Sequence, residues 1–228
     1  MQCDRCRSDP VIFQPYSGRN LCRNHFIADF EARAKRAIRK HQWVRPEDHI
    51  AVPHTGDRCS SALLIFLQEL AGRRRDVRIS VIPGNQEITA DPDDSSYEEE
   101  ALAQIGATCL ARATSLDEIA VSVVIGFLRG LPGTSALDRG ERHRHAGGPL
   151  PHIYPFSGIP AEEIVLYAQL LGVGSDNSPA GESPGKFHAE INAFLNGYSL
   201  RHPATKYAVA NVGRRLEDCN LLMVGEMQ

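Results

Sequence analysis

The stretch IAVPHTGDRCSSALLIFL, residues 50–67, decides the fold. Its apolar opening reads as a short strand over Ile50–Val52, its polar middle as a turn, and Ser60–Ala71 as a helix closed by Gly72. Strand, short glycine-bearing turn and helix make the outline of a phosphate-binding loop, where backbone N–H groups and a helix N-terminus face an anion. Two residues depart from that chemistry. Asp57 brings a carboxylate to the turn, and Cys59 stands where the helix begins.

Outward from this unit, VRISVIP (77–83) reads as a second strand and ATCLAR (107–112) as a third. Glu98–Ile105 reads as a helix ending at Gly106. SLDEIAVSVVIGFLRG (115–130) begins with Ser115 and has Glu118 three residues on, the capping-box spacing, and continues as an apolar helix. IPAEEIVLYAQLLG (159–172) carries Pro160 at a first-turn position and is amphipathic, and Lys186–Leu200 reads as a further helix. Strands alternating with helices predict an α/β fold with a parallel sheet covered on both faces. Residues 131–150 and 175–185, rich in Gly, Pro and polar residues, read as loops.

The N-terminus differs in kind. Cys3 and Cys6 form one CxxC pair, and after fifteen intervening residues Cys22 and His25 form a second pair. Three thiolates and an imidazole are the four ligands tetrahedral Zn²⁺ prefers, and four protein ligands leave no open position, so the expected role is structural. About 25 residues bury too little core to fold without such a staple. From Phe26 to His41, Phe26, Ile27, Phe30, Ala34, Ala37 and Ile38 recur at helical spacing. Residues 1–45 hold ten Lys or Arg against four acids, although the whole chain carries a formal charge of −3. The acidic excess falls later, in DPDDSSYEEE at 91–100. A basic N-terminal third suits an anionic partner such as nucleic acid, and equally a solvated helix face. The candidate contacts are Arg33, Lys35, Arg36, Arg39 and Lys40. No apolar run reaches the roughly 18 residues of a membrane helix, and no signal peptide opens the chain. The expectation is a cytoplasmic protein with no membrane partner.

With these residues in view, the chain resembles the TtuA/Ncs6-type tRNA 2-thiouridine synthetases of the N-type ATP pyrophosphatase (PP-loop) group. The resemblance runs through the CxxC and YSGRNLCRNHFIADFEARAKRAIRKHQWVRPEDHIAV, then LDEIAVSVVIGFLRG, IPAEEIVLYAQLLG and INAFLNGYSLRHPATKYAV, covering most of residues 1–215. It implies a PP-loop (adenine nucleotide alpha hydrolase-like) sheet, tRNA as partner, and ATP with magnesium at a loop of sequence SGGKDS. In that loop's positions stand Thr55, Gly56, Asp57, Arg58, Cys59 and Ser60. Thr55, Gly56, Arg58, Ser60 and the following Ser61 keep the hydroxyls, a glycine and a cation of a nucleotide site. Asp57 sets a negative charge beside the expected phosphates, which at about 4 Å costs several kcal/mol at a surface-like dielectric. Asp117 and Glu118 keep the acids of the family's helix start and read first as a cap.

Family members that thiolate through an iron–sulfur cluster carry a CxxC beyond the loop. None lies beyond residue 25 here; Cys59, Cys109 and Cys219 are single and read as small buried hydrophobes, so no cluster is expected. The resemblance therefore implies a non-catalytic tRNA-binding subunit similar to the Ncs2-like partner, paired with an active paralogue or with itself. Two alternatives stay open: an active ATP-dependent synthetase with Arg58 replacing the loop lysine, and a scaffold or regulator outside tRNA modification. The expected division is a zinc module at 1–25, a basic linker helix at 26–46, a degenerate PP-loop domain at 47–174 and a C-terminal helical segment at 175–228.

Overall fold

Alternation along β3 (His49–His54) organises the molecule: Ile50 and Val52 point to one face of a parallel sheet and Ala51 to the other, and all three are buried. In this computed structural model, residues 1–83, 102–130, 150–175 and 185–225 are described, with side chains through residue 216. The sheet runs β4-β3-β5-β6, with β4 (Arg78–Pro83), β5 (Cys109–Ala111) and β6 (His152–Ile153), and every described pairing is parallel. Both faces are covered, as parallel sheets require. Ala51, Ile82, Leu102 and Leu110 form the smaller core. On the other side Ile50 and Val52 join Phe26, Phe30, Phe66, Phe156 and Tyr167, with the Phe30 and Tyr167 rings stacked at 4.0 Å.

Much of that larger core comes from α1 (Arg23–His41), α2 (Arg58–Gly72) and α4 (Ala161–Leu171). Helix α1 was expected as a linker. It instead buries Phe26, Phe30, Ala34 and Ile38 in the same core as the sheet, because these positions form one continuous apolar stripe. Helix α3 (Leu116–Leu128) begins with the predicted capping box: the Glu118 N–H donates to the Ser115 hydroxyl at 3.2 Å and the Ser115 N–H to the Glu118 carboxylate at 2.6 Å. Helices α5 (Lys186–Ser199) and α6 (Thr205–Gly225) pack on α3. Gly213 makes that approach close, since a Cβ there would meet Val123 at 2.4 Å. Asp117 ties three elements together, accepting from the Ala161 N–H at 2.8 Å and pairing with Lys206 of α6.

The N-terminal module contains a small antiparallel hairpin of β1 (Ile12–Gln14) and β2 (Arg19–Leu21). Strands of three residues are too short for a period-2 pattern to show in sequence. Apart from Leu150, Ser175 and Gly185, the predicted loops at 131–150 and 175–185, together with the acidic stretch at 91–100 and the first part of the helix expected at Glu98–Ile105, lie outside the described residues. Among the described residues no helix is long and apolar enough to cross a membrane.

Candidate functional site

The turn that follows Cys3 and the start of α1, where Cys22 is the N-cap, bring Cys3, Cys6, Cys22 and His25 together with all four ligand atoms within 4.8 Å of one another. Cys3 Sγ lies 3.5 Å from His25 Nδ1, Cys22 Sγ 3.3 Å from the same nitrogen, and Cys6 Sγ 3.5 Å from Cys22 Sγ. Zn–S bonds of about 2.3 Å in a tetrahedron set sulfur–sulfur edges near 3.8 Å, so the set has the size and donor chemistry of a closed metal site. Burial opposes charge on the Cys3 thiol. The backbone N–H bonds around it and His25 outweigh that and lower its pKa to about 6, which favours the thiolate a metal binds.

At the C-terminal end of β3, Gly56 turns the chain with φ +83°, the left-handed conformation glycine adopts without a Cβ penalty. Asp57 is the N-cap of α2: its carboxylate accepts the Ser60 N–H at 2.7 Å and the Thr55 hydroxyl. An anion is thus already seated at this helix N-terminus, and it belongs to the chain itself. The preference of Asp for N-cap positions is the sequence signal that would have revealed this role. Ser60 and Ser61 are buried, and Ser61 Oγ lies 3.1 Å from His54 Nε2. Arg58 opens the helix.

The segment after α4 closes over this turn. Ser175 N–H donates to the Gly56 carbonyl at 3.2 Å, and a Cβ on Gly174 (φ +75°) would stand 2.6 Å from Arg58 Cα. Cys59 sits between carboxylates. Burial, then the charges of Asp57 and Glu118, push its thiol up to about 12.

The five basic candidates on α1 divide. Arg33 is turned inward with 17% of its side chain exposed, pairing with Asp29 at 3.1 Å and with Glu163 of α4. Glu163 also accepts from Tyr16 Oη at 2.6 Å and from Gln14 Nε2 at 3.3 Å. Arg33 is therefore a correction to the predicted RNA-facing set: it joins the metal module, α1 and α4. Lys35 pairs with Glu31 at 2.6 Å. Arg36, Arg39 and Lys40 are exposed, with no ion partner among the described residues. Sequence reasoning missed Tyr16, Gln14 and Glu163, whose partners come from distant parts of the chain.

A parallel α/β sheet carries a strand–loop–helix turn, with a four-ligand Cys/His module packed beside it. Residues 2–27 match the family model for the N-terminal LIM domain of the 2-thiouridine synthetase TtuA. The tRNA 2-thiolation protein NcsA of Haloferax volcanii is 22% identical over 271 residues, spanning 92% of this chain and 84% of that protein. The cytoplasmic tRNA 2-thiolation protein 1 of Drosophila grimshawi is 23% identical over 265 residues, spanning 93% and 76%. The solved U34-tRNA thiolase NcsA from Methanococcus maripaludis, with its [4Fe-4S] cluster, superposes with a TM-score of 0.80 at 19% identity, covering 96% of this chain and 87% of that one. Over most of its length the chain is similar to tRNA 2-thiolation proteins of the TtuA/NcsA type, and its N-terminal residues match that family's LIM-domain model.

This neighbour corrects one expectation. The absence of an iron–sulfur cluster was inferred from missing CxxC pairs, yet a thiolase of the same fold holds a [4Fe-4S] cluster. In this chain the described thiols outside the N-terminal four are Cys59 and Cys109. Neither forms a group of three potential ligands with other described residues.

Proposed function

We propose that this protein serves tRNA wobble-uridine 2-thiolation in the cytoplasm as a tRNA-binding partner subunit whose nucleotide loop does not turn over. The observation that carries the reading is the Asp57 carboxylate bonded to the Ser60 N–H at 2.7 Å, where a phosphate would otherwise be held. A phosphate entering there would displace that bond and meet a like charge. The similarity to NcsA and to cytoplasmic tRNA 2-thiolation protein 1 supports tRNA as the partner class. Zinc at Cys3, Cys6, Cys22 and His25 would hold the N-terminal module against α1, and Arg36, Arg39 and Lys40 would contact the RNA backbone. Catalysis would then come from an active paralogue, or from a second copy of this chain in a homodimer.

The retention of Thr55, Gly56, Arg58 and Ser60 on one turn at the start of α2 favours a second reading, an active ATP-dependent synthetase. Arg58 would then neutralise phosphate in place of lysine, with different geometry. A pyrophosphate-release assay with tRNA and Mg-ATP separates the two. The partner-subunit reading expects tRNA binding without turnover, and robust turnover would overturn it.

A further inference from the structure

The strongest unassigned surface lies at the opposite end of α2 from the phosphate turn. Parallel strands β3 and β4 start side by side there, His49 opposite Arg78. The Arg78 N–H donates to the Asp48 carbonyl at 2.9 Å, and the buried Asp48 carboxylate accepts the Arg45 N–H at 2.7 Å. One buried acid thus fixes the backbone beneath two exposed arginines. The connection from α2 to β4 adds Arg73 and Arg75, both exposed, while Arg74 is held by Asp76 at 2.6 Å. Helix α1 ends at His41, four residues before Arg45. Its last turn brings Arg39 and Lys40.

Among the described residues, the exposed acids set against these cations are Glu47 and Glu69. Trp43 is buried, so this end of the sheet offers charge rather than a stacking platform. Dense exposed arginine, with few acids and no exposed aromatic anchor among the described residues here, is the chemistry that holds phosphates, whatever the base sequence.

We infer that Arg45, Arg73, Arg75 and Arg78 form an RNA phosphate-binding face at the strand-start end of the sheet, continuous with the exposed cations of α1. This deepens the tRNA reading and rests on it. Helix α2, 15 residues long, separates the face from Asp57 by about 22 Å. The face therefore engages a different part of the RNA from the turn. It grips the backbone of a paired stem, while unpaired bases, which can be splayed out and read, lie towards the C-terminal ends of the strands.

The test is tRNA binding by the full-length protein, followed by fluorescence anisotropy from about 50 to about 200 mM salt. The triple variant Arg73→Ala, Arg75→Ala, Arg78→Ala is expected to lose about tenfold or more in affinity, and its log–log salt slope to fall by about 2 to 3. The matching charge reversals to Glu are expected to lose more. Wild-type affinity and an unchanged slope in both variants would overturn the face and leave the tRNA reading standing. Failure of the wild-type protein to bind tRNA even at low salt would overturn both.

Discussion

Arg33 of α1 and Glu163 of α4, separated by 130 residues in sequence, form a buried ion pair beneath the N-terminal module. Tyr16 and Gln14 complete the shell around Glu163, so module and sheet are joined by one polar cluster rather than by a flexible hinge. Removing the acid leaves a guanidinium with only Asp29 beside it in a largely buried setting. Glu163→Ala is expected to cost about 3–5 kcal/mol in urea unfolding. A loss below about 1 kcal/mol would show that the cluster does not hold the two parts together.

Purified protein is expected to contain about one zinc per chain. Chelation, or Cys6→Ser, is expected to lower the melting temperature and to loosen the β1–β2 hairpin first, because that hairpin has little core of its own. Elemental analysis together with hydrogen exchange checks both parts. A metal-free protein with full protection in the hairpin would contradict the assignment.

Cys59 gives a pH prediction. Its raised pKa means the thiolate is disfavoured in the folded protein, so reactivity stays low at neutral pH and rises only as the pH approaches about 12. At pH 8 about one molecule in ten thousand carries the thiolate, whereas an unperturbed thiol is about a quarter ionised. Mass-spectrometric mapping of iodoacetamide labelling should find Cys59 nearly inert until the chain unfolds. Rapid labelling of the native protein would contradict the carboxylate environment of Asp57 and Glu118.

Gly174 is predicted to be irreplaceable for the closed turn. A Cβ there meets the Arg58 backbone rather than a movable side chain, and φ +75° adds strain for any other residue. Gly174→Ala is expected to destabilise by at least about 2 kcal/mol in urea unfolding, whereas Gly72→Ala, with open space around it, should change little.

Much of this architecture was legible because its signals are local. The alternation at Ile50–Val52, the capping box of Ser115 and Glu118, and the two ligand pairs Cys3/Cys6 and Cys22/His25 each lie within a few residues. The illegible parts depend on partners far away in sequence. Arg33 looked like its neighbours Arg36 and Arg39 on a basic helix, and only Glu163 from α4 explains why it faces inward. The closure of Ser175 over Gly56 likewise joins segments more than a hundred residues apart. Asp57 was read for its charge alone, although an Asp at a helix start is itself a local capping signal. The iron–sulfur expectation failed for a different reason: counting CxxC pairs in one chain says little about what a distant member of the same fold holds.

The central claim is that Asp57 occupies the anion seat of its own nucleotide loop. Calorimetric titration of Mg-ATP into wild-type protein and into Asp57→Gly tests it most directly. The account predicts no measurable binding by the wild type up to about millimolar ATP, and recovered binding in the variant, where the Ser60 N–H is released and the like charge is gone. Tight ATP binding by the wild type, undiminished relative to Asp57→Gly, would contradict it.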